Sequence, residues 1–192
     1  MEIYLNDSKI QIDSEDYNKE LILKEIQEKL DDEIINKIYL DDVDVSIDYF
    51  IDNNIRIEKL DKISFETKKT KNLIEETLQQ TKQYYPNLKD SLGNTAELYK
   101  IGSIGRASNR LDKCLTGLEW YLEEMHGIFS LIEKNSIAEK GKTQLENLNK
   151  SNNRAMLALQ NENYDYLAET IEHDIITYLE KIDELNYKLL EE

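Results

Sequence analysis

Residues 101–132 read IGSIGRASNRLDKCLTGLEWYLEEMHGIFSLI, and this stretch decides the fold class. Its predicted core positions are spaced by three and four residues in alternation: Ile101, Ile104, Ser108, Leu111, Leu115, Leu118, Leu122, Met125, Phe129 and Ile132. This spacing puts the side chains on one face of a helix, as in coiled-coil-like packing. The period continues through Gly102 and Gly105, which favours one helix, although two helices joined by a break are the alternative.

The helical pattern extends to both sides of this stretch. An amphipathic helix is predicted for 69–85, and it should stop before Pro86 because the residue before a proline avoids helical backbone angles. The next helix then begins near Asn87 or Leu88. Two further sets of predicted core positions at helical spacing lie on either side of a short link at residues 161–163. The first stripe consists of Ala138, Gly141, Leu145, Leu148, Asn152, Ala155 and Leu159. The second stripe consists of Ala168, Ile171, Ile175, Tyr178, Ile182, Leu185 and Leu189.

These stripes predict that residues 69–192 form a three- or four-helix bundle. The short link between the last two helices predicts that they lie antiparallel. A bundle closed within one chain avoids the entropy loss of association, so it is favoured over an obligate coiled-coil oligomer. A homo-oligomer that uses the same stripes stays open.

Residues 1–68 show a different, mixed pattern. Short β-rich runs are separated by turn-forming residues, and one segment has helical spacing. The predicted elements, in order, are a hairpin with strands at 2–5 and 9–12, a helix at 18–30, a strand at 34–40, a short helical turn at 48–54 and a strand at 62–67. The chain is therefore predicted to be an α+β protein, with a small head at 1–68 and a helical domain at 69–192.

This order of elements resembles the β-grasp fold of ubiquitin-like domains, over the first third of the chain. The resemblance implies a ubiquitin-like head that presents a surface to another protein. Ubiquitin-like modifiers and sulfur carriers end in a free diglycine, whereas here residues 62–67 run directly into a helix, which argues against conjugation or sulfur transfer. The whole layout also resembles uncharacterised bacterial proteins that join a β-grasp domain to a helical bundle, a resemblance that implies no activity.

The chain is strongly acidic, with a formal net charge of −16. The negative electrostatic field of this charge favours solubility and repels nucleic acid and anionic membranes. Nucleic acid and membranes are therefore not expected as partners. Residues 1–7 carry acid where a secretory signal needs a basic segment, and no apolar run reaches membrane-spanning length. The single cysteine, Cys114, cannot form an intramolecular disulfide. A cytoplasmic protein without membrane insertion is therefore expected.

Half of a di-metal motif is present in the sequence. Glu123 and His126 have the Glu-x-x-His spacing found in carboxylate-bridged metal sites of helical bundles. The second half would need Glu169, Glu172 and His173, but here the glutamate adjoins the histidine instead of preceding it by three residues. No metal site is predicted.

Other candidate chemistry is equally incomplete. The aspartates between residues 41 and 52 lack the central glycine and closing glutamate of a calcium loop. Cys114 has no histidine near it in sequence to activate the thiol. Residues 102–105, GSIG, lack the lysine and the preceding strand of a phosphate-binding loop. The sequence therefore predicts no catalytic residue and no cofactor.

A local excess of positive charge occurs on the central helical stretch. Arg106, Arg110 and Lys113 lie at positions i, i+4 and i+7, so they share one helical face with Asn109, and Lys100 precedes them. The favoured interpretation is ion pairing with glutamates of the same chain, because such pairs are common on surfaces. The alternative is a contact site for an acidic partner, and Arg106, Asn109, Arg110 and Lys113 are then the residues that make it.

The predicted function is that of a non-enzymatic adaptor, chaperone-like or regulatory protein that binds another protein, an inference from architecture alone. The alternatives are a metal-binding helical-bundle enzyme and an anion or nucleotide sensor that uses the basic face. Aromatic residues on the helices either pack in the core or mark a binding patch: Tyr84, Tyr85, Trp120, Tyr121, Tyr164 and Tyr166.

Overall fold

The computed structural model describes residues 1–11, 18–52, 56–132 and 136–191, with Glu58 described by its backbone only. These residues separate into two compact units, Met1–Leu73 and Ile74–Glu192. The first unit contains a mixed five-stranded sheet, and the second is mostly helical. The prediction of an α+β chain is confirmed.

The first unit is built around a central strand. Its elements are β1 (Glu2–Leu5), β2 (Ser8–Ile10), α1 (Lys19–Gln27), β3 (Glu33–Leu40), β4 (Val43–Val45), α2 (Ile47–Ile51), a 3₁₀ turn (Ile57–Lys59) and β5 (Lys62–Lys69). The strand order is β2-β1-β5-β3-β4, with β1 and β5 parallel and the other neighbours antiparallel. The core of this unit consists of Ile3, Ile22, Ile26, Ile38, Leu40, Phe50, Ile57, Ile63 and Phe65.

Both hairpins of the sheet have two-residue turns with a left-handed backbone. Asn6 and Asp7 have φ of 46° and 63°, and Asp41 and Asp42 have φ of 46° and 68°. Asn and Asp tolerate this conformation better than other side chains, and such turns match the twist of the flanking strands. The first hairpin was predicted, although Ile12 of its second strand lies outside the described residues. The edge strand β4 was not predicted.

Each hairpin turn also holds one end of β5. The Asn6 side-chain oxygen accepts a 2.8 Å hydrogen bond from the backbone N–H of Thr67. The Asp41 carboxylate accepts 2.9 Å bonds from the backbone N–H groups of Asp61 and Lys62. The first residue of each turn therefore satisfies backbone donors at opposite ends of the central strand.

The second unit is formed by long helices around one hydrophobic core. Its elements are α3 (Thr70–Lys100, which begins in the first unit), α4 (Ile104–Leu131), α5 (Ser136–Gln160), α6 (Tyr164–Glu169), a π-helical segment (Thr170–Ile175) and α7 (Ile176–Leu190). All of them contribute to the same buried cluster. None of the described helices is long and apolar enough to cross a membrane.

The prediction that a helix stops before Pro86 is wrong, because α3 continues through it. Pro86 itself is exposed, whereas Tyr85 and Leu88 on either side are buried. A proline inside a helix removes one backbone hydrogen bond and costs on the order of 3 kcal/mol. The apolar face that α3 buries before and after the proline offsets this cost.

The prediction of one continuous helix through Gly102 is also wrong. Gly102 has φ of 73°, and its N–H donates to the carbonyl of Tyr99 over 3.0 Å. The N–H of Ser103 donates to the carbonyl of Leu98 over 2.9 Å, which completes a Schellman cap that ends α3. Ile101, which was predicted to lie in the core, is 72% exposed.

Candidate functional site

The predicted basic face lies in a cleft between α3 and α4. This cationic cleft has a volume of about 600 Å³. It is lined by the four predicted contact residues, Arg106, Asn109, Arg110 and Lys113, and by Tyr84, Asn87, Leu88, Ser91, Leu98 and Cys114. The structure therefore brings all four predicted residues together with a concave surface.

The periodicity of α4 places the cations at the rim of the cleft. Each of them immediately precedes a buried residue of the core, in the pairs Arg106–Ala107, Arg110–Leu111 and Lys113–Cys114. A residue one position from the buried stripe is turned about 100° away from it, towards the edge of the helix contact. The charged ends stay exposed while α4 packs on α3.

Three other cations of the helical unit form ion pairs with acidic residues of another helical segment. The observed pairs are Lys89–Glu180 at 2.6 Å, Lys100–Glu172 at 2.6 Å and Arg154–Asp174 at 3.0 Å. The Lys100 pair lowers the pKa of the Glu172 carboxyl through a hydrogen bond from the lysine. Lys100, the fourth cation of the predicted basic region, is therefore already neutralised.

The three cations of the cleft differ from these. In the part of the chain that the structure describes, Arg106, Arg110 and Lys113 form no ion pair, contrary to the favoured interpretation. The sequence contains the reason, because a helical ion pair needs a partner three or four residues away. No position at that spacing from any of the three holds Asp or Glu. Arg106 and Arg110 instead repel each other across one helical turn.

Cys114 lies at the bottom of the cationic cleft and is buried. Its sulfur is 3.7 Å from the Thr95 hydroxyl. Burial raises the pKa of the Cys114 thiol, and the Thr95 hydrogen bond and the Arg110 charge oppose this rise only in part. The neutral thiol is the favoured form, so Cys114 acts as a packing residue and not as an activated nucleophile.

The cleft continues into an aromatic section along the same two helices. This smaller space, about 340 Å³, is lined by Tyr84, Lys113, Thr116, Gly117 and Trp120. Tyr84 and Trp120 contact each other edge to face, with ring centroids 4.8 Å apart. The ring of Tyr84 lies across Gly117, where a Cβ atom would overlap the tyrosine hydroxyl.

Sequence reasoning missed the role of Gly117. The signal was a lone glycine inside a strong helical pattern, which costs about 1 kcal/mol relative to alanine and so points to a packing reason. Of the other aromatic residues, Tyr85 and Tyr121 are buried, Tyr164 stacks on Tyr99, and Tyr166 is exposed.

The half di-metal motif stays incomplete in the structure. Glu123 and His126 line a cleft of about 430 Å³ between α4 and α5. Glu172 is engaged by Lys100, and Glu169 and His173 are exposed. No group of three or more His, Cys, Asp or Glu side chains among the described residues is arranged to hold a metal ion.

Two of the aspartates between residues 41 and 52 have partners within the first unit. Asp41 accepts the backbone hydrogen bonds at the start of β5, and Asp42 pairs with Lys62 at 3.1 Å. Part of the predicted helical turn, residues 53–54, lies outside the described residues.

Residues 76–185 match the family described as "Domain of unknown function (DUF8042)", and this region is more than half of the chain. The chain therefore belongs to this family. The matched region contains every residue that lines the cationic cleft and its aromatic section. A comparison with curated proteins and a comparison with solved structures both gave no match.

Proposed function

We propose that this chain is a non-enzymatic adaptor or regulatory protein whose helical unit holds an acidic segment of another protein in the cationic cleft. One observation carries the proposal: Arg106, Arg110 and Lys113 line a concave surface without ion pairs among the described residues. They do so in a chain with 40 acidic and 24 basic residues.

The electrostatics of the cleft favour a carboxylate ligand. Arg106 and Arg110 stand one turn apart, and such like-charge neighbours destabilise a helix by a few tenths of a kcal/mol until an anion lies between them. An Arg guanidinium can bind one carboxylate through two parallel hydrogen bonds. The negative charge of the remaining surface repels extended polyanions, so a short acidic segment fits better than nucleic acid.

The wider proposal is a ubiquitin-like β-grasp head joined to an antiparallel bundle. The strand order β2-β1-β5-β3-β4, with parallel β1 and β5, supports the head. The common core of α3, α4, α5 and α7, with three-residue links after α3 and α5, supports the bundle. A cytoplasmic location is part of the same proposal, supported by the single buried cysteine.

A sensor of small anions is the second candidate, and one observation favours it. Helix α4 begins two residues before Arg106, so the positive end of its dipole adds to the charge at that end of the cleft. The two candidates differ in the ligand that binds most tightly, an acidic peptide or a free anion such as phosphate or ATP.

Calorimetric titration of the full chain with a glutamate-rich peptide tests the proposal. We expect saturable binding that weakens as salt is raised, and a loss of at least tenfold in Arg106→Glu with Arg110→Glu. The matched control is Lys140→Glu with Lys150→Glu, two exposed lysines of α5 that give the same change in net charge. Equal losses in both variants, or no binding by the parent chain, would overturn the proposal. Tighter binding of ATP or phosphate than of peptide would favour the sensor.

A further inference from the structure

The cationic cleft and its aromatic section form one continuous groove. They share Tyr84 and Lys113 as lining residues. Arg106 and Lys113 are seven residues apart on α4, and so are Lys113 and Trp120, which gives roughly 10 Å for each section at about 1.5 Å per residue. The groove is therefore about 20 Å long, cationic at one end and aromatic at the other.

We propose that the partner's acidic segment carries an apolar anchor residue that binds against Tyr84 and Trp120. This inference rests on the proposed function and adds the chemistry of the partner: carboxylates that face Arg106, Arg110 and Lys113, and a Phe- or Leu-sized side chain about 10 Å beyond them. Charge alone then does not define the ligand.

The composition and exposure of the aromatic section support an anchor. Tyr84 and Trp120 are only partly buried, so each ring has surface left for a ligand. Tryptophan, tyrosine and arginine are the residues that dominate binding energy at protein interfaces, and the groove combines all three. Exposed carboxylate contacts are individually worth little, so an apolar contact would add substantially to the affinity of an acidic segment.

Gly117 allows the Tyr84 ring to take its position in the aromatic section. The Tyr84 ring occupies the place that a side chain at position 117 would take, and its hydroxyl lies where the Cβ would be. A larger residue there must move the ring, which would change the aromatic section while leaving the cationic side chains unaltered. Gly127, also on α4, has open space around it and provides a matched control.

The spacing defines the peptides for the test. A helical peptide with glutamates at positions i, i+4 and i+7 and a phenylalanine seven residues further on would span both sections. The same peptide with the order reversed covers the opposite orientation, and an extended version places the phenylalanine about three residues from the last glutamate. Each is compared with its Phe→Ala counterpart.

Trp120 is the only tryptophan of the chain and reports directly on the anchor. With the full chain, we expect at least one phenylalanine peptide to bind roughly tenfold more tightly than its alanine counterpart. That peptide should also shift or quench the Trp120 emission, and the alanine peptide should not. Gly117→Ala should remove the tenfold advantage but keep binding of the alanine peptide, whereas Gly127→Ala should keep both. If Gly117→Ala is not folded by circular dichroism, Trp120→Ala replaces it in the calorimetric comparison.

The outcomes separate this inference from the proposed function. Equal affinity for all phenylalanine and alanine peptides would overturn the anchor and leave the acidic ligand in place. Absence of binding by every acidic peptide would overturn both. Loss of the anchor's advantage in Gly127→Ala as well as in Gly117→Ala would show a general effect of helix substitution, and this too would overturn the role of the aromatic section.

Discussion

The side-chain amide of Asn186 donates a 2.8 Å hydrogen bond to the hydroxyl of Thr81. Both residues are fully buried, Asn186 on α7 and Thr81 on α3. Thr81 in turn donates to the carbonyl of Leu78 over 3.0 Å. If either helix slid by one turn, the amide would lose its acceptor inside the core, so this pair fixes the register of the two helices.

Thr81→Val should therefore destabilise the chain by about 2 kcal/mol, because it leaves the Asn186 amide buried without an acceptor. Urea unfolding followed by circular dichroism measures the change. Thr143→Val on α5 is the control, since its exposed hydroxyl bonds only to a carbonyl of its own helix, and it should cost less than about 0.5 kcal/mol. Addition of Asn186→Leu to Thr81→Val should recover part of the loss, and strictly additive effects would contradict the pairing.

Asp183 should make stability fall as pH rises from about 4 to 6. Burial raises the pKa of its carboxyl to about 6, against partial opposition from Lys82 and Lys89. Because the folded state then holds the proton more tightly than the unfolded chain, stability is greatest below the unfolded pKa and is lost as pH passes the folded one.

The test compares Asp183→Asn with the parent chain at pH 5 and pH 7.5. The parent should lose about 1 kcal/mol of unfolding free energy between pH 5 and pH 7.5 that the variant does not lose. Asp90→Asn, at an exposed position of α3, should change the free energy of unfolding by less than about 0.5 kcal/mol at both. A difference that does not depend on pH would rule out the burial of a charged carboxylate.

Gly102 and Gly105 should respond oppositely to alanine. A Cβ meets no atom within 4 Å at either position, so the two sites differ in backbone conformation alone. In Gly102→Ala the alanine must adopt φ of 73°, so the free energy of unfolding should fall by about 1 kcal/mol. Gly105→Ala lies in the first turn of α4 and should raise the free energy of unfolding by about 0.5 kcal/mol. Thermal unfolding of both variants gives the comparison. Equal effects would show that the cap does not determine the end of α3.

Pro86→Ala should stabilise the chain by about 2 kcal/mol, because it restores a helical hydrogen bond at an exposed position. The gain is smaller than the full proline penalty since alanine makes the unfolded chain more flexible. Gln83→Ala, also exposed on α3, is the control and should change stability by a few tenths of a kcal/mol. If the two variants have the same unfolding midpoint in urea, α3 does not bear a proline cost.

Local sequence signals predicted the elements of the fold better than their ends. The Asn6–Asp7 turn was readable because its residues favour left-handed angles between two β-rich runs. Strand β4 was not, since three residues with Asp44 in the middle have little strand preference without β3 beside them. Pro86 misled the prediction because burial of Tyr85 and Leu88 outweighs the local penalty.

The candidate site was predictable only on the side that belongs to one helix. Arg106, Arg110 and Lys113 share a face of α4 by spacing alone, so their grouping follows from the sequence. Prediction of the opposite wall requires knowledge of how α3 packs on α4. The position of the Tyr84 ring, for example, depends on the absence of a side chain at Gly117, 33 residues further along the chain. The buried polar pair of Thr81 and Asn186 is equally non-local.

The central position of β5 has a consequence for the order in which the head is made. During synthesis β1, β2, β3 and β4 leave the ribosome before β5, and without it they amount to two separate hairpins, which are marginal in water. The sheet closes only when residues 62–69 emerge and join β1 to β3. The first unit therefore cannot complete its sheet until its last strand has been synthesised. The start of α3 follows directly after that strand.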